Sequence, residues 1–186
     1  VRATRGEVLT YGGQPIEALF HTDSGGMTES SEDVWGSHVP YLRAVCDTPL
    51  GTMPWTKTVS TAALEQKLAA KGHNIGRLRA IELSPLAVGR AAKDRTASGR
   101  VKAMTVTGTK GSVTLSGNAW RSLLGLKSTL FSAKLTKDSV TFTGFGAGHG
   151  LGISQWGAKR LAETGKSYAD ILHHYYTGVT LQHNSY

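Results

Sequence analysis

Residues 144–158 read GFGAGHGLGISQWGA, a glycine-rich loop that runs directly into a helix. The helix is predicted to span residues 154–163 and to end at Gly165. Glycine at alternate positions before it lets the backbone pass close to its neighbours. The helix residues available to face a core are Trp156, Leu161 and Ala162.

A second helix is predicted directly after the first. Ser167 and Asp170 have the spacing of a capping box, and Gly178 is placed to close the helix. Apolar residues then recur at helical spacing and predict one buried face. That face comprises Tyr168, Ile171, Leu172 and Tyr175.

Upstream, short β-type runs alternate with tight turns. Residues 7–11 and 15–21 predict a hairpin around Gly12 and Gly13. Ser60 is a predicted N-cap of a helix that ends near Gly72. The other predicted elements are strands at 42–45, 78–83, 133–135 and 139–143, a hairpin of 101–107 with 112–115, and a short helix at 120–124.

These elements predict the α+β class. Strands and helices are mixed without a steady βαβ alternation, which argues against a doubly wound sheet. We therefore expect mixed strands and short helices, mostly antiparallel hairpins, with two C-terminal helices. Residues 1–186 are expected to form a single domain.

Composition sets the broad class of protein. The chain has 186 residues, of which 39% are hydrophobic and 18% charged, with a formal net charge of +8. A basic surface attracts anionic polymers, but no run of Lys or Arg exceeds two residues, so nucleic acid is not an expected partner. The single cysteine, Cys46, excludes an internal disulfide and is expected to be a small buried thiol.

Residues 21–29 form the first polar cluster, HTDSGGMTE. Hydroxyls, a carboxylate and an imidazole hydrogen-bond well to sugar hydroxyl and acetamido groups, and adjacent glycines allow close approach. An ordinary polar turn explains the same residues, and a nucleophilic triad around Ser24 has only the residue types in its favour. The candidate binding residues are His21, Asp23, Ser24, Gly25, Gly26, Thr28 and Glu29.

The glycine-rich loop before the first of these helices is the second cluster. It lacks the Gly-Lys-Ser/Thr and Gly-x-Gly-x-x-Gly patterns of nucleotide loops, so either close helix–strand packing or a ligand site explains it. The candidate binding residues are Gly148, His149, Gly150, Ser154 and Gln155. No metal or other cofactor is predicted, because His173 and His174 point to different helix faces and His38 with Cys46 supplies only two ligands.

Several motifs, taken in order, resemble the sporulation stage II protein D and amidase-enhancer family. The resemblance runs from about residue 3 to residue 181. The motifs that carry it are GQPIEA at 13–18, HTDSGGMTE at 21–29, VWG at 34–36, PYL at 40–42, SGRV at 98–101, LGLKS at 124–128, GHGLGISQWGA at 148–158 and residues 168–178.

The resemblance implies a peptidoglycan lytic transglycosylase that cleaves the bond from N-acetylmuramic acid to N-acetylglucosamine and leaves 1,6-anhydro ends. The family's catalytic glutamate lies in a Glu-Met-Pro type motif of an N-terminal segment, which is expected to precede Val1. Met53-Pro54 lacks that glutamate, so the catalytic residue stays unknown, and Glu29 and Glu32 are the carboxylates nearest the first cluster. Whether the chain is an enzyme is left open.

The alternative is a non-catalytic protein that binds the wall and enhances an N-acetylmuramoyl-L-alanine amidase. The implied partners are peptidoglycan glycan strands and a cell-wall amidase, in the bacterial envelope or outside the cell. A membrane anchor would lie in the segment before Val1. Trp35 and Tyr41 could stack on sugar, but core packing is the expectation for both.

Overall fold

The computed structural model describes residues 3–47 and 49–183, and its α+β class confirms the prediction. Within those residues are five helices and eleven strands. The strands are β1 (Glu7–Tyr11), β2 (Gln14–Pro15), β3 (Phe20–His21), β4 (Trp55–Ser60), β5 (Leu78–Glu82), β6 (Ala103–Gly108), β7 (Gly111–Ser116), β8 (Phe131–Leu135), β9 (Ser139–Gly144), β10 (Ile153–Ser154) and β11 (Thr180–His183). The helices are α1 (Ser31–Trp35), α2 (Thr61–Ala69), α3 (Gly117–Leu124), α4 (Gln155–Glu163) and α5 (Tyr168–Tyr175).

Three antiparallel sheets and one short parallel pair organise the strands. The sheets have the orders β11-β1-β2, β4-β9-β8 and β5-β6-β7, and β10 pairs with β3 in parallel. The β6–β7 and β8–β9 hairpins are local, whereas β4 joins β9 from far along the chain. In the part of the chain that the structure describes, no helix has the length and apolarity to cross a bilayer.

The larger hydrophobic core lies among β4-β9-β8, β5-β6-β7, α2 and α3. Trp120 of α3 is fully buried, and its indole N–H donates to the Met104 carbonyl over 2.9 Å. Phe131 and Phe142 meet edge to face with ring centroids 5.7 Å apart. Burying each such side chain contributes roughly 1.5–3 kcal/mol, so this cluster holds the two sheets together.

A second core lies under α5 and fixes the segment that leads into β3. Tyr175 and Tyr176 are buried there beside Leu42. The Tyr176 hydroxyl donates to the Leu19 carbonyl over 2.6 Å, directly before β3. Helix α5 therefore anchors the start of the first polar cluster.

The local helix signals are confirmed. The side chains of Ser60, Ser154 and Ser167 each accept a backbone N–H at the start of a helix. Ser167 and Asp170 form the predicted capping box, with both reciprocal hydrogen bonds present. Such a cap satisfies donors that helix geometry leaves without partners.

Two strand predictions are wrong. Residues 42–45 form no strand, because their carbonyls accept from the polar loop, Val45 from Thr28 (2.9 Å) and Leu42 from Ser31 (3.1 Å). The predicted strand at 15–21 is interrupted at residues 16–19, and only Pro15 belongs to the hairpin.

The predicted inward faces of the C-terminal helices also need correction. Trp156 and Ala162 are exposed on α4, since Gly157 takes the inward position against Tyr175 and Asp47. Tyr168 is half exposed, and its hydroxyl donates to Glu7 over 2.8 Å instead of entering the core.

Candidate functional site

The two polar clusters predicted from sequence meet at the parallel pair β3–β10. His21 lies opposite Ser154 in this pair. Further along, the Glu29 amide donates to the Gly150 carbonyl over 2.8 Å. Residues 21–29 and 148–155 therefore form one continuous region, which we call the seam.

A small polar cavity lies at the seam. Its volume is about 100 Å³, whereas whole small molecules occupy pockets of about 300–1,000 Å³. It therefore has room for a polar substituent of a ligand and not for a sugar ring. Both clusters contribute to its wall, whose polar residues include Glu29, His149, Arg100, Asp33, Lys102 and Asn118.

Glu29 is a buried carboxyl in this wall. Its Oε1 accepts hydrogen bonds from the hydroxyls of Thr96 (2.7 Å) and Ser98, and it lies 3.8 Å from Nε of Arg100. Burial raises the pKa of Glu29, while the Arg100 cation and the two hydroxyls act against the rise. The carboxyl is held rigidly and takes up a proton more readily than an exposed glutamate.

Arg100 links the two clusters, and it was not among the predicted site residues. It is fully buried, with Nη2 donating to the Ser24 carbonyl over 2.7 Å and Nε facing Glu29. Burial lowers its pKa, and the Glu29 carboxylate raises it. The sequence signal was present, because SGRV at 98–101 was one of the motifs that carried the resemblance.

His21 and His149 lie side by side at the cavity, with ring centroids 5.6 Å apart, and His149 forms part of its wall. Burial, and after it Arg100, lowers the pKa of His21 to about 3, so its imidazole is neutral and Nδ1 donates to the Leu151 carbonyl over 3.0 Å. Burial also lowers the pKa of His149. Its Nδ1 accepts from the Leu151 amide over 3.0 Å, which places the proton of the neutral ring on Nε2.

Asp23 is fully buried and ties the first cluster to its surroundings. Its Oδ1 accepts from Thr52 (2.5 Å) and from the Gly25 amide (2.8 Å), and its Oδ2 lies 3.3 Å from Nη1 of Arg160. Its backbone exchanges two hydrogen bonds with Ala147. The carboxylate therefore positions the loop and does not reach solvent.

Ser24 and Ser154 are also fully buried. The Ser24 hydroxyl donates to Asp47 over 2.7 Å and accepts from the Gly26 amide, while its own amide faces the Ser154 hydroxyl at 3.3 Å. Ser154 further caps α4 by accepting from Gly157. The hydroxyl of Ser24 is committed to a carboxylate, so the Ser–His–Asp arrangement considered from the sequence does not form around it.

The remaining predicted residues separate into inner and outer positions. Thr28 is buried and accepts from the Val45 amide over 2.8 Å. A Cβ on Gly25 or Gly26 would lie 2.6 Å from a leucine side chain, so the close approach made there is to this chain itself. Gln155 is exposed at the first turn of α4.

Gly148 and Gly150 shape the second cluster. Their φ angles are 111° and 92°, which favour glycine. A Cβ would lie 2.7 Å from Cβ of His21 at the first position and 2.8 Å from Nε of Arg100 at the second. Glycine at both positions lets the loop lie directly on the side chains of the seam.

The structure contradicts the expectations for Cys46 and Trp35, agrees with the one for Tyr41, and gives the charge state of Glu32. Cys46 is exposed and not buried, because its backbone pairs with Met27 and turns the thiol outward. Trp35 is 48% exposed at the end of α1 and lies outside the core, while Tyr41 packs in the second core. Glu32 is ionised, since hydrogen bonding to Arg43 lowers its pKa to about 2.

Among residues 3–47 and 49–183, no group of three or more potential ligand side chains could hold a metal ion.

The comparisons with known proteins support the resemblance that the motifs indicated. Residues 50–152 match the sequence profile described as "Domain of unknown function (DUF8618)". Stage II sporulation protein D of Bacillus amyloliquefaciens is 36% identical over 97% of this chain and 49% of its own length, and that of Bacillus subtilis (strain 168) gives the same three values. The Bacillus subtilis protein named "Amidase enhancer" is 34% identical over 97% of this chain and 32% of its own length.

The chain thus spans about half the length of the stage II relatives it matches. The alignments cover 97% of this chain and confirm the family resemblance that the motifs indicated. The chain belongs to the family of stage II sporulation protein D and amidase enhancer, and it carries the domain described as DUF8618.

Proposed function

We propose that this chain is the glycan-binding part of a peptidoglycan lytic transglycosylase, which cleaves between N-acetylmuramic acid and N-acetylglucosamine and leaves 1,6-anhydro ends. The observation that carries the proposal is the cavity at the seam, whose wall is built jointly by Glu29 and His149. Clefts lined by a few convergent polar groups are the usual form of a ligand site. The substrate is the one that the resemblance of the motifs to the family implies.

The size and charge of the cavity indicate which part of the glycan would enter it. An acetamido or carboxylate substituent matches a polar volume of about 100 Å³. The Nε2–H of His149 and the ammonium of Lys102 are donors for its oxygen atoms. The sugar ring itself would lie over the mouth of the cavity.

The reaction needs one carboxyl group. It protonates the glycosidic oxygen as the bond from C1 breaks, and the muramic 6-hydroxyl then attacks C1 and returns its proton to the same carboxylate. Water takes no part, and the group must start protonated. Glu32 does not meet this condition, because its pKa is lowered to about 2.

Glu29 has the required raised pKa, but its Oε1 is occupied by Ser98 and Thr96, and the side chain is buried. We therefore give Glu29 the role of fixing the cavity wall. The catalytic glutamate is assigned, as the resemblance implies, to a segment that precedes Val1 in a longer protein. The same segment would carry any membrane anchor.

The proposed location is the bacterial envelope or the space outside it. A net charge of +8 attracts the anionic polymers of the wall and raises the local concentration of glycan.

A second candidate function is wall binding without cleavage, in support of an N-acetylmuramoyl-L-alanine amidase. It is favoured by the relative named "Amidase enhancer", which matches 97% of this chain. In this case the seam would still bind glycan, but the bound strand would be presented to a separate enzyme.

Product analysis separates the two candidates. The complete gene product is incubated with isolated glycan strands, and the products are identified by mass spectrometry. A transglycosylase gives 1,6-anhydro ends, while an enhancer binds the strands and leaves them intact. If the complete protein neither binds nor cleaves the strands, both candidates are wrong.

A pair of histidine variants tests the site itself. His149→Ala removes an imidazole from the cavity wall, and His173→Ala removes an exposed one from α5. We expect His149→Ala to weaken glycan binding about tenfold, the effect of one lost hydrogen bond to a charged or strongly polar group. Equal binding by the two variants would remove the cavity from the proposal.

A further inference from the structure

Two large aromatic side chains face solvent at the seam. Phe20 of β3 is 62% exposed and Trp156 of α4 is 46% exposed. Folding usually removes such surface from water, and aromatic groups left outside commonly mark a binding surface. The stability of the fold does not explain their position.

Strand geometry sets the direction of Phe20. His21 is buried, and side chains alternate along a strand, so Phe20 points away from the buried side of β3, while its partner Ile153 packs against the second core. Trp156 is held next to them, because its amide donates to the Thr22 carbonyl over 3.1 Å. The backbones that carry the two exposed rings therefore adjoin, and we call this pair of side chains the aromatic ledge.

The aromatic ledge is continuous with the cavity. His149 lines the cavity, and its ring packs against the ring of His21, with centroids 5.6 Å apart. His21 directly follows Phe20, so it lies between the cavity wall and the residue that carries the first aromatic ring. At the far end, Nζ of Lys159 lies 5.3 Å from the Trp156 ring centroid and pairs with Glu163 over 2.7 Å.

We propose that the aromatic ledge is a sugar-stacking surface, on which Phe20 and Trp156 bind pyranose rings of the glycan that flank the ring at the cavity. This inference rests on the proposed function and adds the subsites that read glycan length. One face of a β-linked N-acetylhexosamine ring presents C–H groups, which pack on an aromatic face without fixed hydrogen bonds.

The length of the ligand provides the test. Binding of a muramic acid-containing disaccharide and of an octasaccharide of the same repeat is measured by titration calorimetry. The variants are Phe20→Ala, Trp156→Ala and Trp156→Phe. Tyr168→Ala is the matched control, because Tyr168 is an aromatic residue of similar exposure that hydrogen-bonds Glu7 away from the seam.

Each alanine variant at the ledge is expected to bind the octasaccharide about tenfold more weakly, by analogy with the stacking of bases on aromatic side chains. The affinity for the disaccharide is expected to stay within about twofold of the parent in every variant, because each variant keeps the cavity. Trp156→Phe keeps an aromatic face and Tyr168→Ala keeps the whole ledge, so both are expected to bind the octasaccharide within about twofold of the parent. Unfolding midpoints should not change, because both side chains are exposed.

Two results would overturn the inference while leaving the proposed function in place. In one, the parent binds the octasaccharide more tightly than the disaccharide, yet the alanine variants match it. In the other, glycan affinity is intact in the variants but stimulation of an amidase is lost, which identifies the ledge as a protein-docking surface. A parent that binds neither sugar would contradict the proposed function itself.

Discussion

Replacing Arg100 by Met tests whether the buried pair of Arg100 and Glu29 holds the seam together. The two side chains are each only 2% exposed, and Nε lies 3.8 Å from Oε1. Methionine keeps most of the volume of arginine but removes the charge and the hydrogen bond to the Ser24 carbonyl. Glu29 is then left buried with only hydroxyl partners.

The expected loss is large. Removing one partner of a buried ion pair costs about 3–5 kcal/mol in the free energy of unfolding, because the other charge stays out of water. Because both side chains are almost completely buried, water does not screen the interaction between their charges. Ordinary domains have a stability of about 5–15 kcal/mol, so the loss removes a large and measurable part of it.

The loss should also depend on pH. Burial already raises the pKa of Glu29 above its ordinary value, and removing the cation raises it further. The folded state then holds a proton that the unfolded state releases, so stability falls as pH rises from the ordinary pKa through the folded one. The Arg100→Met variant is therefore weakest at neutral pH and recovers as the solution is acidified.

The assay is urea unfolding of the parent and the variants at neutral and mildly acidic pH. The control is the double variant Glu29→Gln with Arg100→Met, which removes the stranded charge and should recover at least half of the loss. A single variant that loses less than about 1 kcal/mol, equally at every pH, would refute this account of the pair.

Three further predictions concern two loop glycines, a buried histidine and a helix cap. Gly165→Ala places a side chain at a φ of 86° in open space and should lower the free energy of unfolding by about 1 kcal/mol. Gly150→Ala adds a close contact with the Arg100 side chain and should lower it by about 2 kcal/mol more. Equal losses for the two variants would contradict the close approach of Gly150 to Arg100. His21 should stay neutral above about pH 4 in an NMR titration, and its lowered pKa should cost stability as pH falls from 6.5 toward 3, a loss that His21→Gln reduces. Ser167→Ala should lower the free energy of unfolding by about 1 kcal/mol, and an unchanged thermal midpoint would argue against the capping box.

The sequence predicted the features that depend on near neighbours. The caps at Ser60 and Ser167 are encoded within four residues, and the hairpin of β6 and β7 closes on itself. Gly148 and Gly150 could be recognised as positions of close backbone approach because only glycine combines a positive φ with so little space. The resemblance also identified the two clusters that form the seam.

Features that depend on distant partners could not be predicted. Strand β4 was missed because its partner β9 lies far along the chain. The burial of Asp23 and Ser24 follows from contacts with Arg160 and Asp47, which no local pattern announces. Trp156 was expected in the core, but Gly157 is the residue of α4 that packs inward.

A backbone NMR titration of the protein with a glycan oligosaccharide tests most directly whether the seam is one ligand site. If residues 21–29 and 148–155 bind the ligand together, amide signals from both segments should shift together and saturate at the same ligand concentration. Shifts confined to one segment, or to surfaces outside the seam, would contradict it.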